Sequence, residues 1–368
     1  MRTRTPGLVA VAALLTFSLA ACGQEAKGGS RYKPDDGKGG TIGLAMPTKS
    51  SERWIADGKN MAEQFKKAGY ETDLQYGDDK VENQVAQIEN MITKGHRLLV
   101  VAAINGSALT DVLKRAHDAG IPVISYDRLI LGTENVDYYA SFDNERVGRL
   151  QGQYLVDELK LGKPEKGGAA KSVELFAGDP DDNNTKYFWN GAMKVLKPYF
   201  DSGQLVVRSK QTRINQATTL KWDGGTAQKR MDDLISKSYG DKRVDAVLSP
   251  YDGISIGIIS ALKSAGYGTG SEPLPVITGQ DAELASVKSI IRGEQTQTVF
   301  KDTRKLAAQT VKMGDAVLTG KKVQVNNTTD YNNGKKTVPA FLLEPVSVDK
   351  SNTRLLVDEG YFTAGQLK

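Results

Sequence analysis

Ile121-Pro122-Val123-Ile124-Ser125-Tyr126-Asp127-Arg128 and, after a polar loop, Asp137-Tyr138-Tyr139-Ala140-Ser141-Phe142-Asp143-Asn144-Glu145-Arg146-Val147-Gly148 decide how the chain is read. The first run is apolar and β-branched, short enough for a buried strand, and it stops at a charged pair. In open α/β sheets, ligands bind outside the carboxyl ends of the strands. Asp127 and Arg128 are therefore either a ligand contact or a surface ion pair closing the strand. This stretch alone does not separate the two, but similar strand ends recur along the chain.

Working toward the N-terminus, the spacing predicts strands at 41–46, 72–76 and 98–104, alternating with helices whose apolar faces are Met61 and Phe65, Ile88 and Ile92, and Val112 and Leu113. Toward the C-terminus the alternation resumes. Strands are predicted at 173–177, 205–207, 246–249, 276–277 and 297–300, with helices through Leu155, Leu196, Leu234, Ile258, Ile290 and Leu306 between and after them. Residues 339–348 read as a single extended return. Short connections between alternating strands and helices imply parallel sheets with right-handed crossovers. The fold class is α/β, and the strands outnumber what one open sheet comfortably holds, so two doubly wound lobes are expected.

With 368 residues, 39% hydrophobic and 25% charged, the chain is long enough for two cores. A formal charge of +5 with scattered basic residues gives no support to a nucleic-acid partner. Arg2, Arg4, an apolar run from Leu8 to Leu19, and Leu19-Ala20-Ala21-Cys22 match a lipoprotein export signal, with Cys22 as the lipid anchor. The run is well short of the roughly 20 residues that a membrane span needs. Cys22 is the only cysteine, so none remains for disulfides, metal or catalysis. Residues 23–40, rich in Gly, Lys, Asp and Ser, read as a flexible tether.

Polar and aromatic residues gather just beyond the predicted strands: Arg53, Trp54, Asp127, Arg128, Asp182, Asn184, Trp222, Tyr251, Asp252, Gln280, Asp281 and Lys301. Such a set suits a monosaccharide. Its hydroxyls both donate and accept, matching Asp, Asn and the planar fork of Arg, while its C–H face suits an aromatic plane. Trp54 also fits a core position on its helix, and Trp189 reads as structural. Asp179-Pro180-Asp181-Asp182 resembles the start of a calcium loop, but Asn184 and Asn190 replace its turn Gly and closing Glu. His96 and His117 have no metal-ligand partner nearby and are expected at the surface. No Walker loop or dinucleotide fingerprint follows a strand, and no cofactor or metal is expected. A glycosidase with paired carboxylates stays open on composition.

Glu52-Arg53-Trp54, Gln87-Ile88-Glu89-Asn90-Met91, Tyr126-Asp127-Arg128, Ser141-Phe142-Asp143-Asn144, Asp182-Asn183-Asn184, Val195-Leu196-Lys197-Pro198-Tyr199 and Gly279-Gln280-Asp281-Ala282 together resemble the type I sugar-binding receptors of ABC importers. The likeness runs from Thr41 to Lys368 and is to the xylose-binding and multiple-sugar-binding branch. It implies two Rossmann-like lobes joined by three crossovers, near Asn144, Gln297 and Tyr331, closing on the sugar. Residues 41–145 with 298–331 would form one lobe, and 146–297 with 332–368 the other.

By the same resemblance Trp54 and Trp222 would stack on the sugar, and Arg53, Asp127, Arg128, Asp182, Asn184, Asp281 and Lys301 would bind hydroxyls. Tyr251 stands where xylose-selective members tend to have Asn, which points to broader specificity. A non-enzymatic monomer is implied, exported, lipid-anchored on the outer face of the cytoplasmic membrane and partnered by an ABC permease. The alternative is a sugar sensor working through a signalling or chemotaxis partner.

Overall fold

A computed structural model describes residues 1, 34, 38–162, 169–240 and 242–368. The export signal, Cys22 and most of the tether lie outside the described residues. The first part of the chain runs β1 (Thr41–Met46), α1 (Glu52–Lys67), β2 (Glu71–Tyr76), α2 (Val81–Thr93), β3 (Leu98–Val101), α3 (Thr110–Asp118), β4 (Val123–Tyr126) and β5 (Tyr138–Phe142). It continues with α4 (Asn144–Glu158), β6 (Lys171–Leu175), α5 (Asn183–Asp201), β7 (Leu205–Val206), α6 (Ile214–Ala217), α7 (Gly224–Ser238), β8 (Ala246–Leu248), α8 (Asp252–Ser264), β9 (Val276–Ile277), α9 (Leu284–Arg292) and β10 (Gln297–Phe300). The last elements are α10 (Thr303–Leu318), β11 (Ala340–Leu343), β12 (Val346–Asp349) and α11 (Arg354–Asp358).

Six parallel strands form the first sheet, in the order β11-β5-β4-β3-β1-β2. Because successive residues of a strand face opposite sides, β3 sends Leu98 and Val100 into a core shared with α1 and α10, and Leu99 and Val101 into one shared with α2 and α3. Both faces are covered, which is why these strands read as unbroken apolar runs. The second sheet has the parallel order β7-β6-β8-β9. A bridge between Gln280 and Val299 brings β10 alongside, and β12 pairs antiparallel with β10. Its two faces are packed by α4 and α5 on one side and α7 and α8 on the other.

Three expectations are corrected. Residues 340–343 pair with β5 in the first sheet rather than joining 332–368 in the second lobe, and 298–300 belong with the second sheet. The extended return is two strands in two sheets, separated at Glu344 and Pro345, and the third crossover lies there rather than near Tyr331. Proline has no N–H to donate to a ladder, which fits a break at this point. The chain therefore crosses between sheets after β5, after β10 and after β11. Second, Tyr138–Phe142 is a strand of its own, which its aromatic and polar composition hid. Third, His96 is buried, with Nε2 3.0 Å from Asp73 Oδ2.

Candidate functional site

Between the two sheets lies a cleft of about 660 Å³, within the usual size range of small-molecule sites. The strand-end residues singled out from sequence line it, Arg53, Trp54, Asp127, Arg128, Asp182, Asn184, Trp222, Tyr251, Gln280, Asp281 and Lys301, with the exception of Asp252, which is fully buried away from the cleft. Parallel strands explain the convergence, since all their carboxyl ends point the same way and each hands its next residue to the same crevice.

Asp127 follows β4 with φ of 57°, a left-handed conformation that Asp tolerates better than most residues. Its carbonyl oxygen is held by Tyr139 Oη, Ser141 Oγ at 3.0 Å and Asn184 Nδ2 at 3.0 Å. This anchoring turns the carboxylate toward Arg53, whose guanidinium also binds Asp57 Oδ2 at 3.0 Å and approaches Asp281 Oδ1 to 3.6 Å. Lys301, 1% exposed, stands 3.0 Å from Asp281 Oδ1 and 3.8 Å from Asp127 Oδ1. Arg128 Nε is 2.9 Å from Asp182 Oδ2, while Asp182 Oδ1 caps α5 through the Asn184 N–H at 2.9 Å. First-sheet and second-sheet residues thus meet as alternating charges.

Burial pushes the Asp57 carboxyl up to about 6 despite the nearby Arg53 charge and the Tyr126 hydroxyl. At Asp127 burial also favours the neutral acid, but the Arg53 and Lys301 charges outweigh it and hold the group at about 2. An unfolded Asp titrates near about 4, so between those values the unfolded chain binds more protons and stability rises with pH. The contribution of Asp127 is complete above about pH 4 and is lost as pH falls through about 2. In urea-denaturation series, Asp127→Asn should be less stable than wild type at neutral pH, with the gap closing as pH falls through this window. A pH-independent gap would remove the role assigned to its charge.

The aromatic residues take distinct positions. Trp54 is 5% exposed, packs into the first-lobe core, and carries the Arg53 and Arg128 guanidinium groups 4.6 and 5.0 Å from its ring centre. Core position and cleft wall are therefore both true of it. Trp222 stands on a turn whose residues Lys221 and Trp222 have φ of 54° and 56°. Its indole lies so close to Gly178 that a Cβ there would be 2.0 Å from the ring. Phe188 and Tyr251 meet Trp222 edge-on at 6.2 and 6.0 Å.

Four buried polar atoms of lining residues have no hydrogen-bond partner among the described residues; Arg128 Nε and Asp281 Oδ1 stand in ion pairs, which leaves the Trp222 Nε1 donor and the Gln280 Oε1 acceptor with neither. Since buried polar groups are nearly always satisfied, this donor and acceptor suit a polyhydroxylated ligand. The Asp179 loop is spent internally: its carboxylate accepts from the backbone N–H groups of Asp181 and Lys221.

Several contributors escaped the sequence reading. Asp57 lies four residues after Arg53, the spacing of a helical ion pair, so that signal was present. Phe188 follows the apolar period of α5 and looks like core. Ser51 and Glu283 carried no signal. Glu283 accepts hydrogen bonds from Tyr251 Oη at 2.6 Å and Ser51 Oγ at 3.0 Å, and burial pushes its carboxyl up to about 7.

Residues 42–322 match the family model described as periplasmic binding protein domain. The chain is 61% identical over 329 residues to the multiple sugar-binding periplasmic protein SbpA of Azospirillum brasilense, covering 89% of this chain and 91% of that one. It is 58% identical over 330 residues to the multiple sugar-binding periplasmic receptor ChvE of Rhizobium radiobacter, covering 89% and 92%. Among solved structures, an ABC transporter solute-binding protein from Clostridium phytofermentans with bound β-D-glucose superposes with a TM-score of 0.85 at 47% identity, covering 89% of this chain and 100% of that one. The parallel sheets, the cleft at their carboxyl ends and these matches agree, and the chain belongs to the periplasmic binding protein domain family.

Proposed function

We propose that this protein is an extracytoplasmic receptor that captures an aldose monosaccharide in the inter-lobe cleft and delivers it to an ABC importer. The observation that carries the reading is the meeting of Asp127 and Arg128 from one lobe with Asp182, Asn184 and Asp281 from the other around one cleft. Ligand hydroxyls can replace contacts within this network and tie the lobes together. Trp54 and Trp222 offer apolar surface to ring C–H groups. The names of the relatives and the glucose bound to the solved neighbour support a sugar, and binding rather than turnover.

A ligand touching both lobes favours the closed arrangement by its differential affinity for it. The backbone segments free to absorb that motion are the three crossovers, after Phe142, Phe300 and Leu343. Lipid attachment at Cys22, a monomeric state and hand-over to a permease complete the proposal, and the residues before Cys22 support the first of these. Tyr251 bounds the cleft with its ring, since its hydroxyl is engaged by Glu283 and Ser51. A preference for pyranoses beyond xylose is therefore proposed.

The test is a thermal-shift and Trp-fluorescence panel with xylose, glucose, galactose, arabinose and ribose. A sugar present at 100 times its dissociation constant should add about 2.7 kcal/mol of stability. Responses to several pyranoses are expected. A response to xylose alone would contradict the breadth assigned through Tyr251, and silence across the panel would overturn the sugar reading.

A further inference from the structure

Three helices begin beside the cleft without the side-chain bond that ordinarily closes a helix start. Ser51 precedes α1, Tyr251 precedes α8 and Glu283 precedes α9, and none of the three caps its own helix. Serine is among the preferred N-cap residues because its oxygen can satisfy a free backbone N–H. Here that hydroxyl is turned away from its own helix and across to the other lobe. Ser51 Oγ donates to Glu283 Oε1 at 3.0 Å, Tyr251 Oη donates to the same oxygen at 2.6 Å, and the two hydroxyl oxygens are 3.2 Å apart.

The second-lobe half of this cluster is rigidly held. The Glu283 N–H donates to Asp252 Oδ2 at 2.9 Å, and the Asp252 carboxylate also accepts from Gln295 Nε2 at 2.8 Å and Thr298 Oγ1 at 3.1 Å. The Tyr251 ring packs edge-on to Trp222. Moving the lobes apart leaves the Tyr251–Glu283 pair intact and breaks only the two contacts to Ser51. A hydrogen bond made only in the closed arrangement shifts the opening equilibrium by its own free energy.

We propose that Ser51, Tyr251 and Glu283 form an inter-lobe latch, with Glu283 as the positioning residue that sets how fast the bound sugar leaves. The latch rests on the receptor reading above and adds residues that the sugar-binding set does not contain, Ser51 and Glu283. It acts on the closed state, so it governs dissociation rather than encounter, in line with the general dominance of off-rates in affinity differences.

The experiment is stopped-flow Trp fluorescence on the full chain with D-glucose, comparing wild type, Ser51→Ala, Glu283→Ala, Glu283→Gln and the Ser51→Ala/Glu283→Ala double variant. Because Ser51 makes no cap bond, its replacement removes no helix cap. At about pH 8.5, above the value of about 7 to which burial raises Glu283, Ser51→Ala and Glu283→Ala should each raise the dissociation rate about tenfold, the effect of one hydrogen bond to a charged group, with the association rate unchanged. Glu283→Gln keeps an accepting oxygen and should fall nearer wild type. The double variant should be no faster than the faster single variant, because the two changes remove one shared contact.

An unchanged dissociation rate in Ser51→Ala overturns the latch. So does additivity in the double variant, or a matching fall in association rate, which would mark a role in shaping the recognition surface. Ser51→Ala keeps the test decisive if Glu283→Ala does not fold. A wild-type protein silent to every sugar of the panel overturns the receptor reading itself, and the latch with it.

Discussion

Replacing Arg53 by Met should lower folding stability by about 3–5 kcal/mol, the cost of removing one partner from a buried charge cluster. Arg53 is 6% exposed and reaches Asp57, Asp127 and Asp281 at once. Without it Asp57 has no cation within ion-pair distance among the described residues, while Lys301 still serves Asp281 and Asp127. Asp57 is already pushed up to about 6 with Arg53 beside it, so in the variant burial drives it further toward the neutral acid. The loss in Arg53→Met should therefore be larger at pH 8 than at pH 5, and adding Asp57→Asn should recover part of it. Urea denaturation at the two pH values gives the answer. A loss below about 1 kcal/mol, the worth of an exposed ion pair, would mean that the cluster is far more hydrated than its burial implies.

The second large effect is on ligand affinity. Arg128→Ala and Asp281→Ala should each weaken sugar binding at least tenfold, from the roughly 1.5–3 kcal/mol that a hydrogen bond to a charged group contributes. The two residues approach the cleft from different lobes, so losing either removes one lobe's share of the closed-state contacts. Arg128→Lys should not restore affinity, because a point ammonium lacks the planar fork and also lies differently against the Trp54 ring. Isothermal titration with the sugar giving the strongest thermal shift would measure all three. Wild-type affinity in both alanine variants would remove these residues from the site.

What could be read from sequence was set by physical locality. Alternating strands and helices follow from apolar period, and the strand-end site follows from parallel topology. A chain that announces buried parallel strands such as Leu98–Val101 thereby also announces where its ligand-facing residues stand. What remained hidden depends on pairings between residues far apart in the chain. Tyr138–Phe142 was missed because its apolar character comes from aromatic rings and from neighbours such as Tyr331, 5.0 Å from Tyr139. The split of the last extended run between two sheets depends on which exposed edge each half meets, and local composition does not encode that. Ser51 and Glu283 stand 232 residues apart, and neither residue type is unusual at a helix start, so only the folded lobes reveal the contact between them.

The late return of the chain to its first sheet bears on how the protein reaches the native state. Ala340 pairs beside Tyr139, closing an edge left open by everything synthesised in between, and Val346 then crosses to pair with Phe300. Loop-closure entropy must be met before such distant pairings give any return. Neither half of the molecule can be finished as an early, self-contained unit during synthesis. A chain still lacking its last thirty or so residues carries two unsealed sheet edges, a state open to mispairing. The same topology that builds a hinge thus delays completion of folding until almost the whole polypeptide has emerged.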